Sequence, residues 1–173
     1  YSPNQVVGTT SGYLHASNWQ VASGRLLTDA DGEERSRVVV LGQTVVTNVF
    51  GATDPVGQTI QLSGKSFQVV GVLKTKGSNG PFDQDDVVIV PISTYRNRVQ
   101  GSSAGRLKRV GAISVKVSDG QSMQAATEGI RELLRQRHKL QPGAEDDFST
   151  RNLTEMLQAQ EESSRVMALL LAA

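Results

Sequence analysis

Residues 50–91 read FGATDPVGQTIQLSGKSFQVVGVLKTKGSNGPFDQDDVVIVP, and this stretch decides the fold. It holds two strand-like segments, Gln58–Leu62 and Phe67–Leu73, joined at Ser63-Gly64-Lys65 by a connector of hairpin type. A third apolar run, Val87–Val90, follows an acidic cluster. Gly71 interrupts the second strand, and an interior glycine of this kind predicts a bulge or a close approach by another backbone. The stretch therefore predicts a small, rigid, β-rich unit.

The sequence on either side of this stretch predicts further short elements. The continuous apolar run Arg37–Leu41 indicates a strand that is covered on both faces. The spacing of apolar residues in Gln43–Phe50 predicts a short helix that ends at Gly51. We also predict a strand at Gln5–Thr9, a helical turn within Ser11–Trp19 that places Trp19 inward, and a helix over 93–99 capped by Ser93.

The last third of the chain has a different pattern. Ile113, Val115 and Val117 alternate with polar residues, which predicts a half-buried strand. Asp119 is the predicted cap of a helix with apolar residues at helical spacing, and Asp147–Arg151 is the predicted return strand. This β-α-β order is half of a ferredoxin-like layer.

Composition excludes several classes of protein. A chain of 173 residues with 38% hydrophobic residues can bury a core. The net charge is only +1, and the basic residues are dispersed along the sequence. Both facts argue against a nucleic-acid-binding face. The absence of cysteine from the sequence removes disulfides, thiol catalysis and cysteine-ligated metal sites.

The motifs in this sequence resemble those of a known family. FGxxDPVGQxI, FxVVGVLxxKG and DQDDxVxVP occur in this order between Phe50 and Pro91, after Asn18-Trp19 with Gly24-Arg25 and a VxVLG strand at Val38–Gly42. Together they resemble the periplasmic core domain of MacB-type ABC transporter permeases. The resemblance extends from about Gly8 to Ala173.

The resemblance implies an α+β fold with two parts. One is a discontinuous, porter-like β-α-β layer at 1–35 and 107–155, and the other is a small β-rich α/β subdomain inserted at 36–106. Residues 156–173 would form a stalk and the start of a truncated transmembrane helix, since the last eight residues are all apolar but too few to span a bilayer. The alternative is the end of an ordinary core helix.

The resemblance also implies a function. The chain would be a non-catalytic domain on the periplasmic side of the bacterial inner membrane, relaying ATP-driven motion from an ABC ATPase domain or subunit. An efflux member would dock a periplasmic adaptor (membrane fusion) protein and an outer-membrane channel, and the full transporter would be a homodimer. The alternative is a soluble periplasmic ligand-binding or hydrolytic domain.

Motifs for catalysis or cofactor binding are missing from the sequence. Gly64-Lys65-Ser66 has the ending of a phosphate loop without the upstream glycine. His15 and His138 are the only histidines, and the sequence has no nucleophile elbow with which either could form a catalytic site. Asp83, Asp85 and Asp86 could supply oxygen ligands to a hard cation, but their spacing departs from the calcium-loop pattern, so we favour a polar turn. We therefore predict no enzyme activity, cofactor or metal.

We expect a protein partner to bind the exposed loops, because loops on a rigid scaffold commonly carry interaction residues. The two segments concerned are Lys74–Asp86 and Thr94–Lys108. The candidate partner-binding residues in them are Lys74, Lys76, Asp83, Asp85, Asp86, Arg96, Arg98 and Arg106.

Overall fold

A computed structural model of the chain describes residues 1–79, 82–99, 110–152 and 163–164. The chain divides into two compact units, Tyr1–Lys116 and Val117–Ala173. Residues 100–108 of the candidate partner-binding segment Thr94–Lys108, with Arg106, lie outside the described residues. So does the predicted stalk and membrane helix over 156–173, apart from residues 163–164. In the described part of the chain, no helix has the length and apolar character needed to cross a membrane.

The first unit is built on one mixed, six-stranded sheet. Its strands are β1 (Gln5–Thr9), β2 (Val21–Gly24), β3 (Val38–Leu41), β4 (Thr59–Leu62), β5 (Lys65–Leu73) and β8 (Val87–Pro91). The strand order is β1-β8-β3-β5-β2, and β4 also pairs with β5. The β1–β8 and β3–β5 pairs are parallel, and the other pairs are antiparallel. Two short strands, β6 (Ser78–Asn79) and β7 (Phe82–Asp83), form a separate ribbon.

Short helices connect and cover these strands. They are α1 (Ser11–Ala16), α2 (Asp29–Glu33), α3 (Gln43–Phe50) and α4 (Ile92–Thr94), the last continuing as a π-helical turn over Tyr95–Val99. The predicted strands in 5–9, 37–41 and 58–90 and the helix at Gln43–Phe50 are confirmed. The fold is α+β, as the sequence predicts.

The core lies on both faces of the central strand β3. Val39 and Leu41 pack into one buried cluster with Phe67, whereas Val38 and Val40 pack into a second cluster with Leu14. Successive side chains of a strand point to opposite faces, so four consecutive apolar residues can serve two cores. The prediction that this strand is covered on both sides is confirmed.

The β4–β5 hairpin turns at Ser63 and Gly64. Both residues have positive φ, 50° and 72°, as a two-residue type I′ turn requires. The lysine of the phosphate-loop-like tripeptide, Lys65, is the first residue of β5, so the tripeptide leads directly into a strand and not into a helix. The loop-to-helix geometry that holds phosphates is therefore not formed here.

Gly71 lies where β5 is bulged. Val39 pairs with Val69 but Val40 pairs with Gly71, so Val70 is an extra residue on β5. A Cβ on Gly71 would lie 2.1 Å from the carbonyl oxygen of Arg25. Both predicted features of this glycine, the bulge and the close backbone approach, are confirmed.

Two helix caps differ from prediction. Ser93 is not the cap of a helix over 93–99, because the helix begins after Pro91 and the Ser93 hydroxyl donates instead to the carbonyl oxygen of Gly32 at 2.6 Å. In the second unit, α5 (Met123–Arg137) is capped by Ser122 rather than Asp119, since the Ser122 hydroxyl accepts the N–H of Ala125 at 3.3 Å. A serine next to the first helical residue can reach this donor.

The two strands predicted on either side of α5 are not formed. Residues 112–118 and 149–152 are described, and no regular structure is assigned to them. Ile113 and Val115 are 69% and 57% exposed. A strand is held by ladder hydrogen bonds to a partner, and alternation in the sequence cannot supply that partner.

The predicted division into a porter-like layer and an inserted subdomain remains a prediction. β1 and β2, which it assigns to the first part, belong to the same sheet as β3, β5 and β8. Within the described residues, the sheet therefore continues across the boundary predicted after Arg35.

The second unit consists, in its described part, of α5 and the segment that follows it. Arg131 and Arg135 both pair with Asp146, and the Arg131 Nε–Asp146 Oδ2 distance is 2.6 Å. His138 follows the last residue of the helix, and its Nδ1 lies 2.7 Å from an oxygen of Asp147. These pairs fasten the segment after the helix to its C-terminal half.

Candidate functional site

The acidic cluster after β7 is a buried structural junction. The carboxylate of Asp85 accepts two backbone N–H groups, those of Lys76 at 2.8 Å and Gly77 at 2.9 Å. Its own N–H donates to Asp83 Oδ1 at 2.8 Å. The carbonyl oxygen of Asp85 accepts the N–H of Thr44 in the first turn of α3. One aspartate thus fixes the chain on both sides of the β6–β7 ribbon and positions α3.

Asp86 fastens the first strand in the same way. Its carboxylate accepts the backbone N–H of Asn4 at 3.1 Å and the hydroxyl of Tyr1. Its carbonyl oxygen accepts the N–H of Gln5 at 3.3 Å. The start of β1 is therefore held through one residue of the acidic turn.

This burial corrects part of the prediction for the partner-binding loops. Asp85 and Asp86 are only 3% and 6% exposed, so they cannot present their carboxylates to a partner. Buried carboxylates are stable when backbone donors satisfy them, which is their role here. The described residues contain no group of three or more acidic or histidine side chains placed to hold a metal ion.

Trp19 is positioned by the end of α1. The N–H of Trp19 donates to the carbonyl of Leu14 and the N–H of Asn18 to that of His15, the pairing of a Schellman motif. Asn18 takes the left-handed conformation with φ 52°, which asparagine tolerates better than most residues. The motif turns the chain sharply and brings Trp19 against the second core cluster.

Lys76 lies across this helix end. Its ammonium is 3.9 Å from the centroid of the Trp19 ring and donates to the carbonyl oxygen of Ser17 at 2.6 Å. That carbonyl is one of those a helix C-terminus leaves without an intrahelical partner, and a cation is favoured there. Partial burial lowers the pKa of the Lys76 ammonium, an effect that the nearby Asp85 carboxylate opposes.

An open groove runs beside Trp19. Its volume is about 710 Å³, and it is lined by Gly12, His15, Ala16, Asn18, Trp19, Gln20 and Lys116. Lys116 Nζ donates to Asn18 Oδ1 at 3.1 Å, and Lys74 Nζ donates to Gln20 Oε1 at 3.0 Å. One lysine, Lys116, therefore lines the groove, and two others, Lys74 and Lys76, contact residues that line it. None of the lining residues is acidic.

The structure brings some of the predicted partner-binding residues together and not others. Lys74 and Lys76 do not line the groove themselves but contact two of its lining residues, Gln20 and Trp19. Arg96 and Arg98 lie on the π-helical turn and are not among the lining residues. Arg98 is exposed and Arg96 is half-buried. Arg106 lies outside the described residues.

Sequence reasoning assigned Trp19 a packing role and missed its contact with Lys76. The contact arises because Asp85 fixes the backbone at Lys76 while the Schellman motif fixes Trp19. These are two local structures far apart in the sequence. The Asn18-Trp19 dipeptide was the available signal, since Asn is a common residue at the left-handed position after a helix.

Comparisons with known proteins agree on one family. The model of the MacB-like periplasmic core domain family matches residues 1–133. The chain is 38% identical over 146 residues to the macrolide export ATP-binding/permease protein MacB of Chlorobaculum tepidum, covering 84% of this chain and 22% of that protein. It is 33% identical over 156 residues to the pyoverdine export ATP-binding/permease protein PvdT of Pseudomonas savastanoi, covering 89% and 22%.

Solved structures agree with this assignment. The periplasmic region of MacB from Actinobacillus actinomycetemcomitans superposes with a TM-score of 0.71 at 28% identity, over 90% of this chain and 64% of that one. The extracellular domain of the transporter YknZ from Gram-positive bacteria shares the fold, with a TM-score of 0.61 at 22% identity, over 79% of this chain and 65% of that one. The chain spans less than a quarter of the length of the two export proteins. This chain belongs to the MacB-like periplasmic core domain family.

Proposed function

We propose that this chain is the periplasmic, non-catalytic part of an ABC export permease, where it relays ATP-driven motion and docks an adaptor protein. The observation that carries the proposal is the family match over residues 1–133. The ATPase would be a separate domain or subunit, as the ATP-binding/permease names of the relatives suggest. An outer-membrane channel and a homodimeric arrangement belong to the same proposal.

The attachment of β1 supports the part of the proposal that concerns motion. β1 pairs with β8 in parallel over five residue pairs, from Gln5–Val87 to Thr9–Pro91. A force on the chain before Gln5, directed along the strand, loads these pairs together in shear. The hydrogen bonds of Asp86 to Asn4 and Tyr1 reinforce the same end. β1 would then transmit displacement to the whole sheet rather than peel away.

The exposed basic residues support the part that concerns docking. Arg98 on the π-helical turn and Lys74 after β5 are both exposed, on a domain with a well-packed core. Charged side chains on a rigid scaffold steer association and set specificity. The alternative, a soluble ligand-binding or hydrolytic domain, has the open groove at Trp19 as its supporting observation, and the family match favours the permease.

Charge reversal in the full transporter tests this function. We expect Arg98→Glu combined with Arg96→Glu to weaken adaptor capture and reduce export, while ATP hydrolysis persists because the nucleotide site lies outside this chain. Arg37→Glu is the matched control, since Arg37 is also exposed but lies directly before β3. Unchanged adaptor capture and export in the double variant would place docking elsewhere. Failure of the wild-type transporter to capture any adaptor would contradict the docking role.

A further inference from the structure

We propose that the groove beside Trp19 is the docking site for an acidic segment of a partner protein, whose carboxylates pair with Lys74, Lys76 and Lys116. This inference rests on the proposed docking function and names the site and the chemistry of the partner. It assigns a role to Trp19, Lys116 and the groove, which the predicted partner-binding residues did not include.

The first argument is the unneutralised charge around the groove. Each of the three amines is held by a neutral oxygen: Lys76 by the Ser17 carbonyl, Lys74 by the Gln20 amide and Lys116 by the Asn18 amide. Among the described residues, none of the three forms a salt bridge with a carboxylate. The Asp85 carboxylate acts on Lys76 through its charge, but both of its oxygens accept backbone N–H groups. Carboxylates from a partner would therefore be the direct hydrogen-bonding counterions of these amines.

The second argument is that the amines are held in place before binding. The Asp85 carboxylate fixes the backbone of Lys76, and the Trp19 ring and Ser17 carbonyl fix its side chain. Ordering a free lysine side chain on binding costs conformational entropy, and a side chain already held has lost part of that freedom. Lys76 is thus ordered before binding, and Lys74 and Lys116 each have one amide partner that limits their motion.

The shape of the groove favours a protein segment over a lipid surface. A bilayer-anchoring tryptophan presents its ring to the interface, but one face of Trp19 is covered by Lys76 and the residue is half-buried. The site is also a groove, with Lys116 in its lining and Lys74 and Lys76 bound to lining residues or their neighbours. Three lysines from two chain segments suit carboxylates spaced along an extended chain. Isolated phosphate groups are more commonly held by clustered backbone N–H groups.

Trp19 supplies the readout, because it is the single tryptophan of the chain. The 173-residue chain would be titrated with a hexaglutamate peptide while tryptophan fluorescence is recorded, with hexalysine as the peptide control. We expect a saturable change with hexaglutamate only. Since the interaction is between exposed charges, raising NaCl from about 0.05 M to about 0.5 M should abolish it.

Neutralising variants locate the site. We expect Lys74→Gln with Lys116→Gln to weaken hexaglutamate binding about tenfold, because each variant removes a charge without removing a buried contact. Lys65→Gln is the matched control, since Lys65 is exposed in the β4–β5 hairpin. Far-UV circular dichroism checks that the double variant folds. The salt titration uses the wild-type chain alone, so it tests the charge dependence of binding even if the double variant does not fold.

Several outcomes would overturn the inference. The first is that tryptophan fluorescence shows no saturable change with hexaglutamate. The second is that the double variant binds hexaglutamate with the same affinity as the wild type. The third is a fluorescence response to phosphatidylglycerol vesicles without a response to the peptide. Its failure is distinguishable from failure of the docking function. If the full transporter captures the adaptor equally well with and without Lys74→Gln and Lys116→Gln, docking stands and this site is wrong. If the wild type captures no adaptor, docking fails and the peptide titration still decides the site.

Discussion

Gly71 and Arg25 approach each other so closely that a Cβ added to Gly71 would lie 2.1 Å from the Arg25 carbonyl oxygen. The two backbones are held there by the N–H of Arg25, which donates to the carbonyl of Val70 at 2.8 Å. The contact joins β2 to the bulge of β5, where β5 also pairs with β3. The packing of β2, β3 and β5 therefore requires a residue without a side chain at position 71.

Gly71→Ala should strongly destabilise the domain. A new methyl group at 2.1 Å from a backbone oxygen forces strands apart, and overpacking of this kind costs about 1–3 kcal/mol or more. Urea unfolding measures the loss. Gly12→Ala in α1 is the matched control, because a Cβ there meets nothing within 4 Å. Equal midpoints for the two variants would contradict the close approach.

The bulge at Gly71 shows what the sequence was able to predict. A glycine inside a run of β-formers has few explanations, so the local pattern alone indicated both the bulge and the close approach. Strands β3, β5 and β8 were predicted for the same reason, since each is an apolar run with clear ends. Local chemistry decides such features, and it is fully visible in the sequence.

Other features depend on partners that the sequence does not show. Ile113 and Val115 have the alternation of a strand, yet no strand is formed there because no neighbour pairs with them in the described part of the chain. Asp85 looked like an exposed loop residue, but it is buried, and its carboxylate accepts backbone N–H groups from the other side of the β6–β7 ribbon. In both cases the outcome is decided by a tertiary contact rather than by local preference.

Ser63→Asn should stabilise the β4–β5 hairpin. Both turn residues have positive φ, and Asn-Gly is the preferred pair for a type I′ turn. Because asparagine tolerates this conformation better than serine, we expect a gain of about 0.5 kcal/mol, measured as a higher urea midpoint. Ser66→Asn, on an exposed position of β5, should give no such gain. A loss of stability in Ser63→Asn would contradict the turn type.

The Arg25–Asp31 pair should make stability depend on pH in the acid range. Two hydrogen bonds, at 2.6 Å and 2.9 Å, lower the pKa of the Asp31 carboxyl from 3.8 to about 2. The contribution is therefore fully present above pH 4 and is lost as the pH falls towards 2. Because Arg25 is about half exposed and screened by water, we expect about 1–2 kcal/mol.

Asp31→Asn tests this prediction. The variant should be less stable than the wild type at pH 6, and the difference should shrink as the pH falls from about 4 to about 2, because protonated Asp31 has also lost its charge. Glu34→Gln is the matched control, since Glu34 is exposed at the end of the same helix. Parallel stability curves for Asp31→Asn and wild type across this range would show that the pair does not titrate as described.

Asp85→Ala should both destabilise the domain and release Lys76 from Trp19. The substitution leaves the N–H groups of Lys76 and Gly77 without their acceptor, and unsatisfied buried donors cost about 1–3 kcal/mol each. Once the backbone at Lys76 moves, its ammonium should leave the Trp19 ring, which tryptophan fluorescence detects under native conditions. Gln84→Ala, an exposed neighbour, should change neither quantity. Asp85→Asn keeps one acceptor oxygen, but its amide NH₂ would face one of the N–H donors. Its stability should therefore lie between those of the wild type and Asp85→Ala. If Asp85→Ala unfolds at the wild-type urea concentration, the acidic turn does not hold the Lys76 segment in place.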